Sequence, residues 1–162
     1  LWAHYYDPHI PYEPPFPYSA SFRDRPYDGE IAFMDAEIGR LLDGLGERGL
    51  AGDDVVVIVA ADHGEGLYEH GEKMHANLVY QSTLRVPLLV RAPEGERGTR
   101  RDVPVTLADI APTVLDYAGV DPPPMDAISL RPFVEGDAPP DRDLYFETLA
   151  GSLEFHSSST TS

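Results

Sequence analysis

Residues 55–64 read Val-Val-Val-Ile-Val-Ala-Ala-Asp-His-Gly. The apolar, mostly β-branched run over 55–61 has no polar alternation, so it predicts a strand buried on both faces, as in a parallel sheet covered by helices. Asp62 and His63 follow this strand directly, where open α/β sheets place ligand-binding groups. The run therefore predicts an α/β architecture and a site at the end of its strand.

The flanking segments extend this architecture. Residues 27–49 carry apolar side chains at three- and four-residue steps with charged residues between them, which predicts an amphipathic helix. Residues 107–117 predict a second helix, which Pro112 either begins or interrupts. Further strands are expected at 86–91, 103–105 and 144–147. Helices and strands thus alternate along the chain.

Proline and small polar residues mark the irregular parts of the chain. Each proline lacks the N–H that a helix or a ladder needs, so segments 8–17, 121–124 and 131–140 predict loops. Residues 150–162 hold too few apolar side chains to fold alone, and we expect them to form a disordered tail. Residues 1–149 are predicted to form part of one globular domain.

The composition excludes several classes of function. The chain has 162 residues, 28 acidic against 12 basic, for a net charge of −16, and no Cys. Such a charge excludes binding of nucleic acid or anionic membrane by bulk attraction. No apolar run approaches the roughly 20 residues of a membrane span. The missing Cys excludes disulfides, thiolate zinc sites and a Cys nucleophile within these residues.

The acid excess has two interpretations, which composition does not separate. It fits a heavily hydrated surface suited to high salt, and it equally fits the ordinary solubility of an acidic protein. The compartment and the oligomeric state are left open by the sequence.

Asp62 and His63 offer one carboxylate oxygen and one imidazole nitrogen side by side. This pair suits Mg²⁺, Mn²⁺, Zn²⁺ or Ca²⁺ when further ligands come from elsewhere. The alternative is that Asp62 caps a turn and His63 is an ordinary hydrogen-bonded loop residue.

The loop after the strand concentrates titratable side chains. It holds three of the six histidines, His63, His70 and His75, together with Lys73, the only lysine. Histidine can ligate a metal, transfer a proton near neutral pH or hold an anion. The alternative is a solvated polar loop in which Glu65, Glu69 and Glu72 form a hydrated face.

A second histidine pair, His4 and His9, lies where an expected strand passes into the proline-fixed loop. Rigid placement would suit a proton donor there. The surrounding aromatic residues are equally consistent with packing, in which both histidines are simply buried hydrogen-bonding groups.

Six motifs, taken in order, resemble the later part of a sulfatase of the alkaline-phosphatase superfamily. They are His4-Tyr-Tyr-Asp-Pro-His9-Ile-Pro-Tyr, Tyr27-Asp-Gly-Glu-Ile-Ala-Phe-Met-Asp35, Ala61-Asp-His-Gly-Glu65, Glu69-His-Gly-Glu72, Tyr80-Gln-Ser-Thr-Leu-Arg-Val-Pro-Leu88 and Asp109-Ile-Ala-Pro-Thr-Val-Leu115. The resemblance spans about residues 1–149 and implies the carboxyl-terminal portion of a catalytic domain. The implied fold is a partial doubly wound sheet flanked by helices, truncated at the amino terminus.

The resemblance implies a hydrolase of sulfate esters that uses one divalent metal ion. Asp62 and His63 would be a metal pair of the Asp-His type, whose nitrogen ligand favours Mn²⁺, Zn²⁺ or Fe over the Ca²⁺ of Asp-Asn forms. The family's other acidic metal ligands and its nucleophile, a formylglycine made from Cys or Ser, have no counterpart in these residues. We therefore expect this segment alone to be inactive.

The resemblance also assigns roles within the loops. His75, with Lys73 as the second choice, would contact the anionic oxygens of the ester. His9, ahead of His4, would protonate the leaving oxygen or hold the sulfate. The expected substrate is a small-molecule or glycan sulfate ester. The alternatives are a phosphoester or phosphonate hydrolase, a phosphoethanolamine-type transferase, or a catalytically inactive fragment.

Overall fold

The computed structural model describes residues 1–138 and 140–148. Within it the chain divides into two compact units, residues 1–55 and the chain from residue 56 onward. The predicted tail over 150–162 and residue 149 lie outside the described residues. None of the described helices combines the length and the hydropathy that crossing a membrane requires.

The first unit consists of a proline-rich loop and two helices. Helix α1 is Tyr18–Ser21 and helix α2 is Pro26–Gly46. The predicted helix over 27–49 is therefore confirmed, and Pro26 begins it because a proline at the first helical position loses no hydrogen bond. Tyr18 packs against Phe33, with 5.7 Å between the ring centroids. Segment 8–17 is irregular, as its prolines predict.

The second unit contains a two-stranded sheet. Strands β1, Val57–Ala60, and β2, Leu88–Arg91, pair antiparallel, with Val57 opposite Arg91 and Ala60 opposite Leu88. The expected parallel pairing is wrong for these two strands, because a β-branched run favours a strand but does not fix its direction. The wider doubly wound sheet stays a prediction.

Burial along the strands also differs from the expectation. Side chains of β1 are half-buried up to Val59, and β2 alternates, with Leu89 59% exposed. The predicted burial on both faces is therefore wrong within this chain. Among the described residues these two strands form the sheet alone, so each has a neighbour on one edge only.

Three shorter elements complete the second unit: α3 over Gln81–Leu84, α4 over Ile110–Tyr117 and α5 over Arg131–Val134. Single 3₁₀ turns cover Glu69–Gly71 and Leu107–Asp109, and the second of these leads into α4.

Several predicted elements need correction. The helix expected over 107–117 is confirmed as the 3₁₀ turn followed by α4. The strands expected at 103–105 and 144–147 are wrong, since both segments are irregular and neither pairs with a described strand. The loop expected over 131–140 begins with α5, because Pro132 is tolerated in the first turn of a helix.

A buried carboxylate, Asp109, joins the segments around α4. It accepts the backbone N–H of Thr106 at 2.8 Å and that of Ile128 at 3.0 Å, and both terminal guanidinium nitrogens of Arg142 contact it. Thr113 adds a bond from the N–H of Leu130 at 2.7 Å. These hydrogen bonds join Ile128, Leu130 and Arg142 to the start of α4.

The ionised form of Asp109 is the one that the fold stabilises. Burial by itself would raise the pKa of Asp109, but the hydrogen bonds from Arg142, Thr106 and Ile128 outweigh it and lower the pKa below its ordinary 3.8. A depressed carboxyl pKa stabilises the fold above the unfolded-state pKa, and this contribution disappears as the pH falls through the folded-state pKa.

We expect Asp109→Ala in the full-length protein to lower the free energy of unfolding by about 3–5 kcal/mol at neutral pH, because Arg142 loses its partner. Urea unfolding measures this, and the difference from wild type should shrink as the pH falls below about 4. The control is Asp102→Ala, which removes only the exposed pair with Arg100 and should have little effect. Similar losses in both variants would contradict the role of Asp109.

Candidate functional site

Strand β1 delivers Asp62 and His63 to an open turn directly after its end. Oδ1 of Asp62 accepts the backbone N–H of His63 at 3.0 Å, while Oδ2 lies 3.8 Å from Nε2 of the same residue. The side chains of Asp62 and His63 are 72% and 43% exposed. The expected local cap therefore occupies one carboxylate oxygen and leaves the other facing the imidazole.

The hydrogen bonds of His63 determine which ring nitrogen holds the proton. Nδ1 lies 2.8 Å from the carbonyl oxygen of Gly64. A carbonyl accepts only, so Nδ1 donates, and in the neutral ring Nε2 keeps its lone pair. Two electron-pair donors, Nε2 and the Asp62 oxygen, consequently face each other. This is the ring orientation that metal-ligating histidines commonly show.

The pair fits part of a metal site. Bonds from nitrogen or oxygen to ions such as Zn²⁺ are about 2.0–2.2 Å long, so two donors on one ion lie within about 4.4 Å of each other. The 3.8 Å separation satisfies this limit. Within residues 1–138 and 140–148 no group of three or more His, Cys, Asp or Glu could hold a metal ion. Among the described residues, Asp62 and His63 are therefore not joined by a third His, Cys, Asp or Glu that could share an ion with them.

Close packing fixes the turn at Gly64. Its N–H donates to the carbonyl of Thr83 at 2.8 Å, and a Cβ at Gly64 would run into the carbonyl of Ser82. Thr83 is buried, and its hydroxyl donates to the carbonyls of Leu78 and Tyr80 at 2.9 and 3.1 Å. Helix α3 thus packs against Gly64, the residue directly after His63.

His75 joins this pair through its ring. The imidazoles of His63 and His75 lie face against face, with 3.8 Å between centroids and 30° between planes. Nδ1 of His75 lies 3.3 Å from Oε1 of Glu65, whose side chain is only 7% exposed. Glu65 is therefore no part of a hydrated face. Sequence reasoning missed its contact with His75 because the two residues are ten positions apart.

The remaining predicted residues of the loop lie beside this cluster. Lys73 is exposed and makes no hydrogen bond or ion pair within the described part of the chain. His70 stacks on Tyr80, with 3.8 Å between the ring centroids. A cavity of about 410 Å³ is lined by His70, Gly71, Glu72, Lys73, Met74, His75, Asn77 and Leu78. His75 thus contacts His63 and also lines the cavity that Lys73 borders.

The loop holds an uncommon backbone conformation. Leu67, Tyr68, His70 and Ala76 all have positive φ angles, which cost free energy for residues other than glycine. The N–H of Tyr68 donates to the carbonyl of Glu72 at 2.8 Å, and the buried carboxylate of Glu72 accepts the N–H of Asn77 at 2.8 Å. These bonds hold the loop in a shape that its residues would not adopt alone.

His4 and His9 lie in the first unit and have different surroundings. Nδ1 of His9 lies 2.7 Å from the carbonyl oxygen of Ile10, and Nε2 lies 3.2 Å from the hydroxyl of Tyr6, whose ring stacks on the imidazole. His4 is exposed and makes no hydrogen bond or ion pair with the described residues. His9 is therefore fixed by its neighbours, whereas His4 is not.

Comparison with known proteins matches residues 1–120 to the family model described as Sulfatase. The choline-sulfatase of Rhizobium meliloti is 32% identical over 116 residues, which is 69% of this chain and 22% of that protein. The N-acetylglucosamine-6-O-sulfatase of Bacteroides thetaiotaomicron is 32% identical over 115 residues, 70% of this chain and 20% of that protein. The chain thus spans about a fifth of the length of these relatives.

Solved structures with the same fold include two phosphonate monoester hydrolases. The one from Silicibacter pomeroyi is 36% identical, with a TM-score of 0.67 over 74% of this chain and 24% of that chain. The one from Agrobacterium radiobacter is 31% identical, with a TM-score of 0.69 over 82% of this chain and 28% of that chain.

We expect Gly64→Ala to destabilise the full-length protein by about 1–3 kcal/mol, because the added methyl group overpacks against the Ser82 carbonyl. Urea unfolding measures the change. The matched control is Gly39→Ala in α2, where an added Cβ meets nothing within 4 Å and should stabilise the helix by up to about 1 kcal/mol. A neutral or stabilising effect at Gly64 would contradict the close approach of α3.

Proposed function

This chain belongs to the sulfatase family, and we propose that the protein that carries it hydrolyses a sulfate ester with the help of one divalent metal ion. The observation behind this proposal is the placement of Asp62 and His63. A carboxylate oxygen and an imidazole nitrogen face each other at the end of β1, 3.8 Å apart and open to solvent.

We propose Asp62 and His63 as metal ligands through Oδ2 and Nε2. Mn²⁺ and Zn²⁺ suit a nitrogen donor better than Ca²⁺ or Mg²⁺ does. A bound divalent ion would supply Lewis-acid polarisation of the ester oxygens. The other ligands and a formylglycine nucleophile are proposed for the rest of the protein, since this chain spans about a fifth of its relatives.

His75 is the proposed contact to a non-bridging oxygen of the ester, with Lys73 as the second choice. Its ring lies on His63, so a group held by His75 is also close to the proposed metal ligands. Its Nδ1 is engaged by Glu65, which leaves Nε2 to donate a hydrogen bond when the ring is protonated. Such local donors bind an anion despite the net charge of −16.

His9 is the proposed proton donor to the leaving oxygen, and His4 is the alternative. Because Nδ1 of His9 is bonded to the Ile10 carbonyl, the transferred proton would leave from Nε2. Tyr6 contacts that nitrogen and would have to release it. Protonation of the leaving alkoxide is typical general acid catalysis.

The names of the relatives suggest the substrate class. One relative is a choline-sulfatase and another is an N-acetylglucosamine-6-O-sulfatase. A solved structure 33% identical to this chain is a complex with its substrate, D-glucosamine-2-N,6-O-disulfate. We therefore propose a small-molecule or glycan sulfate ester as the substrate.

A phosphonate monoester is the second candidate substrate. It is favoured by the two phosphonate monoester hydrolases, whose folds match this chain with TM-scores of 0.67 and 0.69. Comparing turnover of a 4-nitrophenyl sulfate with that of a 4-nitrophenyl phosphonate separates the two proposals. Faster turnover of the phosphonate would favour the second candidate.

We expect Asp62→Ala in the full-length protein to lower bound metal and the rate of 4-nitrophenyl sulfate hydrolysis together, by at least about tenfold, since a metal ligand is lost. Elemental analysis and the release of nitrophenol measure the two quantities. The control is Asp121→Ala, which changes an exposed carboxylate after α4. Unchanged metal content in Asp62→Ala would remove Asp62 from the ligand set.

We expect His75→Ala to lower kcat for the same sulfate ester by about a hundredfold while the metal stays bound, because removal of one donor to the reacting oxygens has that effect in other enzymes. The comparison variant is Lys73→Ala. If Lys73→Ala alone reduces kcat while His75→Ala does not, the order of the two choices is reversed.

A further inference from the structure

We infer that Glu30 is a positioning residue for the proposed proton donor, because its carboxylate holds the backbone of the segment that presents His9. This inference rests on the proposed function. Glu30 lies in the second turn of α2 and is only 3% exposed. The sequence motif that contains it pointed to a helix and gave no reason to expect a link to the loop.

The two carboxylate oxygens of Glu30 bind two different points of the loop. Oε2 accepts the backbone N–H of His9 at 3.0 Å, and Oε1 accepts that of Glu13 at 2.6 Å. Pro11 lies between these points and has no N–H of its own. One side chain thus fixes both ends of segment 9–13, and charge-assisted bonds of this kind are stronger than neutral ones.

Close packing keeps the same segment on the start of α2. Pro14 is buried, and a Cβ built on Gly29 would lie 2.8 Å from Cγ of Pro14 and 3.0 Å from Cβ of Phe22. The loop therefore cannot move closer to the helix, and the Glu30 carboxylate prevents it from moving away. The imidazole of His9 is then oriented by the Ile10 carbonyl and the Tyr6 ring.

The free energy of folding alone does not explain why an ionisable carboxyl group occupies the buried position of Glu30. Burial raises the pKa of Glu30 above its ordinary 4.5, although the N–H groups of Glu13 and His9 act in the opposite direction. A raised carboxyl pKa means that the ionised form costs folding free energy at neutral pH. Such groups occur preferentially at functional sites, which is consistent with a positioning role.

The test compares two leaving groups in the full-length protein. Glu30→Gln keeps the shape of the side chain but replaces one acceptor oxygen with an NH₂ group, which cannot accept an N–H. We expect kcat/KM for glucosamine 6-sulfate, whose alkoxide must be protonated, to fall about tenfold or more, because displaced catalytic groups lose rate steeply. For 4-nitrophenyl sulfate, which leaves readily without a proton, the loss should stay below about threefold.

Two comparison variants sharpen this test. His9→Ala should show the same dependence on the leaving group, and Glu30→Gln should add little further loss in the His9→Ala background. Asp43→Asn, which changes an exposed carboxylate on the same helix, is the matched control and should leave both substrates unaffected. An equal loss on both substrates in Glu30→Gln would overturn the inference, since a general structural defect acts alike on every ester.

Hydrogen exchange tests the contact without any turnover. We expect the amides of His9 and Glu13 to exchange about tenfold faster or more in Glu30→Gln than in wild type or Asp43→Asn, because their acceptors are lost. Unchanged exchange would overturn the inference. If wild-type protein hydrolyses no sulfate ester, the proposed function fails instead, and the exchange result then decides whether Glu30 holds the segment.

Discussion

The close approach of Nε2 of His63 to Oδ2 of Asp62 is the feature on which the proposed chemistry of this chain depends. The Gly64 carbonyl keeps the imidazole proton on Nδ1, so two electron-rich atoms face each other 3.8 Å apart with no hydrogen between them. A metal ion shared by the two atoms would stabilise such an arrangement. Gly64 packs closely against α3 and donates its N–H to the Thr83 carbonyl, which helps to hold the turn in place.

Several acidic side chains of this chain organise its loops by binding backbone N–H groups. Asp62 binds the N–H of His63, Glu72 that of Asn77, Glu30 those of His9 and Glu13, and Asp109 those of Thr106 and Ile128. The acid excess is therefore more than a hydrated surface. Among the described residues the buried apolar side chains are Pro14, Ala92, Pro112 and Leu130, so these hydrogen bonds hold loops that few apolar contacts hold.

Local sequence patterns predicted where helices and strands lie more accurately than they predicted which strands pair. The period of residues 27–49 gave helix α2 to within three residues at its end, and the β-branched run gave β1. The antiparallel pairing of β1 with β2 was not predictable, because it depends on a partner about thirty residues away, at 88–91. The predictions of strands at 103–105 and 144–147 were wrong for the same reason, since a short apolar run forms a strand only where another strand pairs with it.

In the candidate site too, contacts between sequence neighbours were predictable and contacts between distant residues were not. The closeness of Asp62 and His63 was predictable because they are neighbours in the sequence, whereas their role as metal ligands stays a prediction. The contacts of Glu65 and Glu30 were not predictable, because each joins residues far apart in the sequence. Glu65 contacts a ring nitrogen of His75 ten positions away, and Glu30 accepts the backbone N–H of His9 twenty-one positions away. An ionised Glu in a sequence gives no signal of whether it meets water or a buried amide.

The choice between sulfate and phosphonate esters depends on more than the residues of this loop. Both kinds of monoester carry a single negative charge at neutral pH and present non-bridging oxygens in similar geometry. A cation held by Asp62 and His63 and a donor such as His75 would therefore stabilise both. Under the proposed mechanism, discrimination between sulfur and phosphorus would therefore have to come from groups outside the loop that follows β1.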